Sequence, residues 1–234
     1  MSYFSPDTFK FFRDLARHNE RPWFHANKAR YEASVRDPFL HLIADLAEPL
    51  ATISPHFRAD PKPVGGSLFR IQRDTRFAND KAPYKTWAGA RFFHARGKQS
   101  LPRTQSGVEG PLFYLQIAPG DCFVAAGLWH PQPETQRRIR AFLVDNPAAW
   151  KQAVHAPAFR KRFELGGESL SRPPRGFDPQ HELIEDLKRK DYVVSRAFED
   201  KMAFDPRLRH SVIQEFKRMA PMIDYLCAAL DLEF

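Results

Sequence analysis

The apolar residues of this chain change period twice, and that change bounds the fold. Near the start, Phe9, Phe12, Leu15 and Ala16 recur at helical spacing, as do Phe39, Leu42, Ile43 and Leu46. From Leu68 the period drops to two: Phe69 and Ile71 alternate with Arg70 and Gln72, and Phe113, Leu115 and Ile117 with Tyr114 and Gln116. Residues 88–94 and 122–128 read as two more strands, and Pro119-Gly120 supplies the hairpin turn before the second. Helical spacing then returns and closes with Val212, Phe216, Met219, Ile223, Leu226 and Leu230 on one stripe. Helices at both ends, strands gathered between them and no βαβ repeat predict an α+β fold: a central, largely antiparallel sheet covered by N-terminal and C-terminal helices. No linker or low-complexity tract interrupts residues 1–234, so a single domain is expected.

Local signals punctuate this pattern. Ser5 is placed to cap the first helix, with Pro6 at its first position and Asp7 in its first turn. Pro22 opens a second helix and Pro38 is expected to interrupt it. In the last third, helices are expected at about 134–144, 147–154, 158–163 and 181–188, with a strand at 192–198. Asp205 and Pro206 should start the closing helix, and Pro221 should kink it. Residues 98–110 read as a polar loop.

Several function classes fall away. Cys122 and Cys227 are the only cysteines and stand far apart, which excludes a disulfide framework and a zinc ribbon; both are expected unbonded and buried. None of the nine histidines forms H-x-x-x-H or adjoins a cysteine, so no metal site is expected. Neither a P-loop nor G-x-G-x-x-G occurs, nor a G-x-S-x-G elbow, and no cofactor is expected. No apolar run approaches the ~20 residues that span a bilayer, and the first residues lack a signal-peptide pattern. The expectation is a cytoplasmic protein with no membrane partner.

The formal net charge is +8, and its distribution is uneven. Between Ser67 and Arg103 nine basic residues face only Asp74 and Asp80, a net of +7. Charge gathered in one segment points to an anionic partner more than a uniformly basic surface would. The densest part runs from Phe69 to Thr86. Arg70, Arg73, Asp74 and Arg76 fall where the expected strand ends, and Lys81, Tyr84 and Lys85 follow in a loop stiffened by Pro83. Arginine forks grip phosphate or carboxylate, lysine adds a point charge, and Tyr84 or Phe77 offers a stacking face. A second constellation, Gly127-Leu128-Trp129-His130-Pro131, leads from a strand into a helix start, where free N–H groups attract anions. Trp129 is the candidate aromatic wall of a shared cleft, against the alternative of an ordinary packed turn.

These residues carry a resemblance. Phe69-Arg70-Ile71-x-Arg73-Asp74-x-Arg76-Phe77 followed by Lys81-x-Pro83-Tyr84-Lys85 resembles the hallmark of domain-of-unknown-function family 2461, widespread conserved hypothetical proteins of bacteria and fungi. The likeness continues in Asn19-Glu20-Arg21-Pro22-Trp23-Phe24, in Gly127-Leu128-Trp129-x-Pro131 and in Pro174-Arg175-Gly176-Phe177. Gln72 stands where an aromatic residue is usual, and Ala78 where a small hydroxyl is common. The resemblance implies one domain with the central motif as its most distinctive part, and no activity.

Three readings of the motif stay open. In the first, Arg70, Arg73, Asp74, Arg76, Lys81, Tyr84 and Lys85, with Trp129 beside them, form a cleft for a small anionic ligand bearing phosphate or carboxylate. Binding to a nucleic-acid backbone is the less favoured variant, because a polymer requires Arg91, Arg96, Lys98 and Arg103 to line up with the motif. In the second, the arginines and Asp74 form an ion-pair network that fixes the sheet end. In the third, Tyr84 or Asp74 serves as acid or base in an enzyme acting on a phosphorylated substrate.

Overall fold

The computed structural model describes residues 2–76, 79–97 and 109–234. The fold is α+β. Helix α1 (Pro6–Arg17) opens on a reciprocal cap: Ser5 Oγ accepts the Asp7 N–H, and Thr8 Oγ1 accepts the Ser5 N–H, each at 3.3 Å. Short helices α2 (Arg21–Ala26) and α3 (Lys28–Tyr31) follow. The chain then widens into a π turn, Glu32–Arg36, and continues as α4 (Asp37–Ala51). The π turn lies immediately before Pro38, whose missing N–H cannot complete an ordinary helical ladder. Pro38 therefore reshapes the helical path instead of interrupting it.

Six strands form one antiparallel sheet: β1 (Phe57–Arg58), β2 (Ala88–His94), β3 (Leu112–Ile117), β4 (Cys122–Leu128), β5 (Leu165–Gly166) and β6 (Tyr192–Phe198), in the order β1-β2-β3-β4-β6-β5. Strands β2, β3, β4 and β6 lie where the alternation predicts them. Between β4 and the C-terminus run α5 (Pro133–Asp145), α6 (Pro147–Trp150) with a π turn to His155, α7 (Pro157–Arg160), α8 (Ile184–Leu187), α9 (Asp200–Ala203) and α10 (Leu208–Ala228). The closing helix starts two residues after Pro206. Asp205 instead accepts the Arg207 N–H at 2.7 Å and holds its guanidinium, closing a turn ahead of the helix. Pro221 is accommodated within α10, which runs on to Ala228.

The two sheet faces are unequal. Ala90, Phe92, Phe113, Leu115, Ile117, Val124, Ala126, Tyr192 and Val194 are buried on one face, where the Phe216 ring of α10 meets Phe113 at 4.8 Å and Phe92 at 5.5 Å. The core runs continuously from Phe4 to Leu232 and includes Val212, Phe216, Ile223 and Leu230. On the other face Arg91, Tyr114, Phe123, Ala125 and Val193 are part-exposed, and Ser195 and Ala197 are exposed. Cys122 and Cys227 are unbonded and buried, and burial pushes their thiols up to about 11 and about 12. Among the described residues, no helix is long and apolar enough to cross a membrane.

Residues 69–73 depart from expectation: they form no strand of the sheet. Leu68 bridges Ala90, Gln72 bridges Tyr84, and the pairing between those points is broken. Three residues, 69–71, face five, 85–89, so the surplus makes a bulge around Thr86 and Trp87. The motif is an irregular hairpin at the edge of β2, paired with the stretch that leads into that strand. The expected loop at 98–110 lies, up to Val108, outside the described residues, as do Phe77 and Ala78.

Candidate functional site

The hairpin is held from behind by one side chain. Because Arg73 N–H bonds Pro83 O at 2.9 Å and Lys85 N–H bonds Ile71 O at 2.8 Å, the N–H and C=O of Tyr84 turn away from the partner strand. Both meet Asn19, whose Oδ1 accepts the Tyr84 N–H at 3.0 Å and whose Nδ2 donates to Tyr84 O at 2.9 Å. The Tyr84 ring stacks on Phe24 with centroids 4.2 Å apart and is 5% exposed. Tyr84 is thus an anchor of the hairpin in the core, and its ring does not present a stacking face to a ligand.

The basic residues divide by their partners. Arg76 makes a two-pronged pair with Asp74, at 2.9 and 2.6 Å, and Asp74 also accepts the Arg76 N–H. These bonds hold the Asp74 carboxyl down at about 2. Arg73 pairs with Asp80, which caps the Ala82 N–H at 2.9 Å. Lys81 donates to Thr75 O at 3.0 Å, closing the tip of the turn. Lys85 is different: its ammonium donates to Arg70 O at 2.5 Å and Gln72 O at 2.9 Å and lies 5.4 Å from the centre of the Trp87 ring. Burial lowers its pKa, and the Arg70 and Arg73 charges lower it further. The Arg70 side chain is exposed and, among the described residues, has no hydrogen bond or ion pair. Lys85 thus stands in the fields of both Arg70 and Arg73; Arg70 also acts at a distance on Asp74, and neither Arg70 nor Lys85 forms a salt bridge with a carboxylate among the described residues.

Trp129 does not share this location. Strands β2 and β4 run the same way across the sheet, Trp87 precedes β2, and Trp129 follows β4. A seven-residue strand separates the two levels by roughly 20 Å. Trp129 is 64% exposed and leans on His130 with centroids 4.6 Å apart. The helix start beyond it is already supplied with carboxylates: buried Asp191 accepts the His130 N–H at 2.6 Å, and Glu109 accepts the Gln132 N–H at 2.8 Å. Two surface hollows, of about 440 and 530 Å³, are lined by residues such as Arg196, Met202 and Glu215, or Arg58, Lys62 and Phe93, and by none of the motif.

Three contributors escape the sequence reading. Asn19 looks like a helix terminator because its partner is 65 residues away. Trp87 lies just past the motif. Gly89 sits inside β2, where a Cβ would overlap the Tyr114 hydroxyl and crowd the Trp87 ring; a glycine within an alternating strand is the signal that could have been read.

A family model described as conserved hypothetical protein (DUF2461) matches residues 7–225 of the 234. No curated protein and no solved structure matches the chain.

Proposed function

The chain belongs to that family, and we propose that its central motif binds the phosphate or carboxylate of an anionic ligand through Arg70, Arg73 and Lys85. The observation that carries this reading is the state of Lys85. Its ammonium is half-buried and positioned by two carbonyl oxygens beside two guanidinium groups, and no carboxylate pairs with it among the described residues. A cation so placed gains most from an anion arriving from outside. Arg70 supplies the unpaired fork, and Arg73 can exchange Asp80, which is 67% exposed, for a ligand oxygen.

The structural reading has less support because the pairs it needs are exposed. Arg76 is 77% and Asp74 46% exposed, and solvent screening leaves such a pair little weight in stability. The enzyme reading has less support, since its two candidates are occupied: Asp74 is engaged by Arg76, and Tyr84 is held in the core.

Thermal unfolding in phosphate or sulfate, against chloride at equal ionic strength, tests the reading. The wild type should show a saturable rise in Tm. Arg70→Ala should abolish it with little change of Tm in chloride, since that side chain makes no hydrogen bond among the described residues and acts on Asp74 only at a distance. An undiminished phosphate response in Arg70→Ala and Lys85→Met alike would overturn the site.

A further inference from the structure

The anion site adjoins a larger surface, the sheet face turned away from the helices. Aromatic rings cross it from strand to strand. Phe69 lies 6.3 Å from Trp87 and 6.1 Å from Tyr114, and Tyr114 lies 5.6 Å from Phe123. All four are part-exposed. Gly89 makes this possible: without a Cβ beneath them, Tyr114 and Trp87 lie over the strand. Tyr114 is fixed by donating to Gln116 Oε1 at 3.0 Å, and Gln116 in turn donates to the Asp121 carboxylate at 2.6 Å. The one acidic group in this network is therefore already engaged.

Cations are interleaved with the rings. Lys85 stands over Trp87, and the Arg91 guanidinium sits 5.3 Å from the centre of Phe69 and 5.6 Å from that of Phe93. Among the described residues, Arg91, like Arg70 and Lys85, has no carboxylate partner. Burial lowers its pKa, and among the described residues its guanidinium donates no hydrogen bond. The contacts of Lys85 with Trp87, Trp87 with Phe69 and Phe69 with Arg91 carry the cluster across the bulge and align Arg91 with the motif, the alignment a polymer ligand requires. Arg96 lies beyond the end of β2, and Lys98 and Arg103 are outside the described residues.

Rings in a row, tilted to one another by 79°, 59° and 44° and with cations among them, offer separate faces to a flexible strand of bases and phosphates. Bases stack on aromatic side chains whatever their sequence, and phosphates take the guanidinium and ammonium groups. A duplex hides the base faces that such a row needs. A free nucleotide would cover one ring and leave the others bare. We propose that this open face binds single-stranded nucleic acid, with phosphates on Arg70, Lys85 and Arg91 and bases on Trp87, Tyr114 and Phe123. The inference rests on the anion site proposed above and names its ligand.

The test uses the full chain and a fluorescein-labelled oligothymidylate or oligouridylate of about a dozen nucleotides, followed by anisotropy at several salt concentrations. Binding should weaken steadily as salt rises. It should quench tryptophan emission, and Trp87→Phe should remove the quenching while keeping most of the affinity. Phe123→Ala should weaken binding about 5- to 150-fold with an unchanged Tm. Arg91→Gln should lower the salt dependence by about one phosphate. A phosphate-induced rise in Tm equal in wild type and Phe123→Ala, with no oligonucleotide binding, would overturn this inference and leave the anion site standing. Oligonucleotide binding that survives Arg70→Ala intact, without any phosphate response, would overturn the anion site and support the face alone. Duplex or mononucleotide bound as tightly as the single strand would overturn the proposal, as would binding indifferent to Phe123→Ala.

Discussion

The side-chain amide of Asn19 bonds both backbone groups of Tyr84, standing where a neighbouring strand would otherwise be. The end of the first helical segment thereby sets the height and direction of the hairpin that carries the basic residues. Asn19→Ala should cost about 1–3 kcal/mol, because it leaves a part-buried donor and acceptor unmet. Asn19→Asp should cost at least as much at neutral pH, since a carboxylate turns a second acceptor toward Tyr84 O. Urea denaturation of the two variants reads both values. A loss confined to a few tenths of a kcal/mol would mean that the hairpin holds without this clamp.

Gly89 and Tyr114 form a second coupled pair. Gly89→Ala brings a Cβ into the Tyr114 hydroxyl, so the ring must rise off the strand. The expected cost is about 1–3 kcal/mol by overpacking. In a Tyr114→Ala background the same change should be much milder, and a double-mutant cycle measures the difference as a coupling energy. Additive losses would show that the glycine answers to something other than that ring.

Asp74 gives a pH signature. Its bonds to Arg76 lower the carboxyl to about 2, below the ordinary aspartate value near 3.9. A lowered folded-state pKa adds stability that is present above the unfolded value and is lost as pH falls through about 2. Because the pair is exposed, that contribution is small. Carboxyl chemical shifts followed by NMR should show Asp74 titrating at the foot of the acid range, and Arg76→Ala should return it toward 3.9. An Asp74 midpoint unmoved by that substitution would rule out the two-pronged pair.

The layers of this fold are legible in the sequence because alternation and helical spacing follow from burial. Phe113, Leu115 and Ile117 announce a strand, and Val212, Phe216 and Ile223 announce a helix that covers it. Residues 69–73 alternate just as well but pair irregularly, since the bulge at Thr86–Trp87 shifts the register and no local pattern encodes a mismatch between two distant segments. The basic cluster was readable as charge. Its internal division was not: Arg76 and Arg73 find carboxylates while Arg70 and Lys85 do not, and that depends on the turn between them. Trp129 stands at a strand-to-helix turn whose N–H groups suggest a second wall for the cluster, and only the direction of β4 separates the two. Asn19 was invisible in its role, because an amide that completes a sheet edge looks the same in sequence as one that ends a helix.

The sheet ends on both sides in strands of two residues, β1 and β5. At the β5 border only Val193 and Val194 of β6 are covered, so among the described residues the run 195–198 has no strand partner on that side. A protein with an open aromatic face faces a standing hazard of stacking into fibrils, and growth of that kind proceeds through strand borders. The two-residue strands limit such growth where they lie, and on the uncovered run of β6 the exposed charge of Arg196 opposes it.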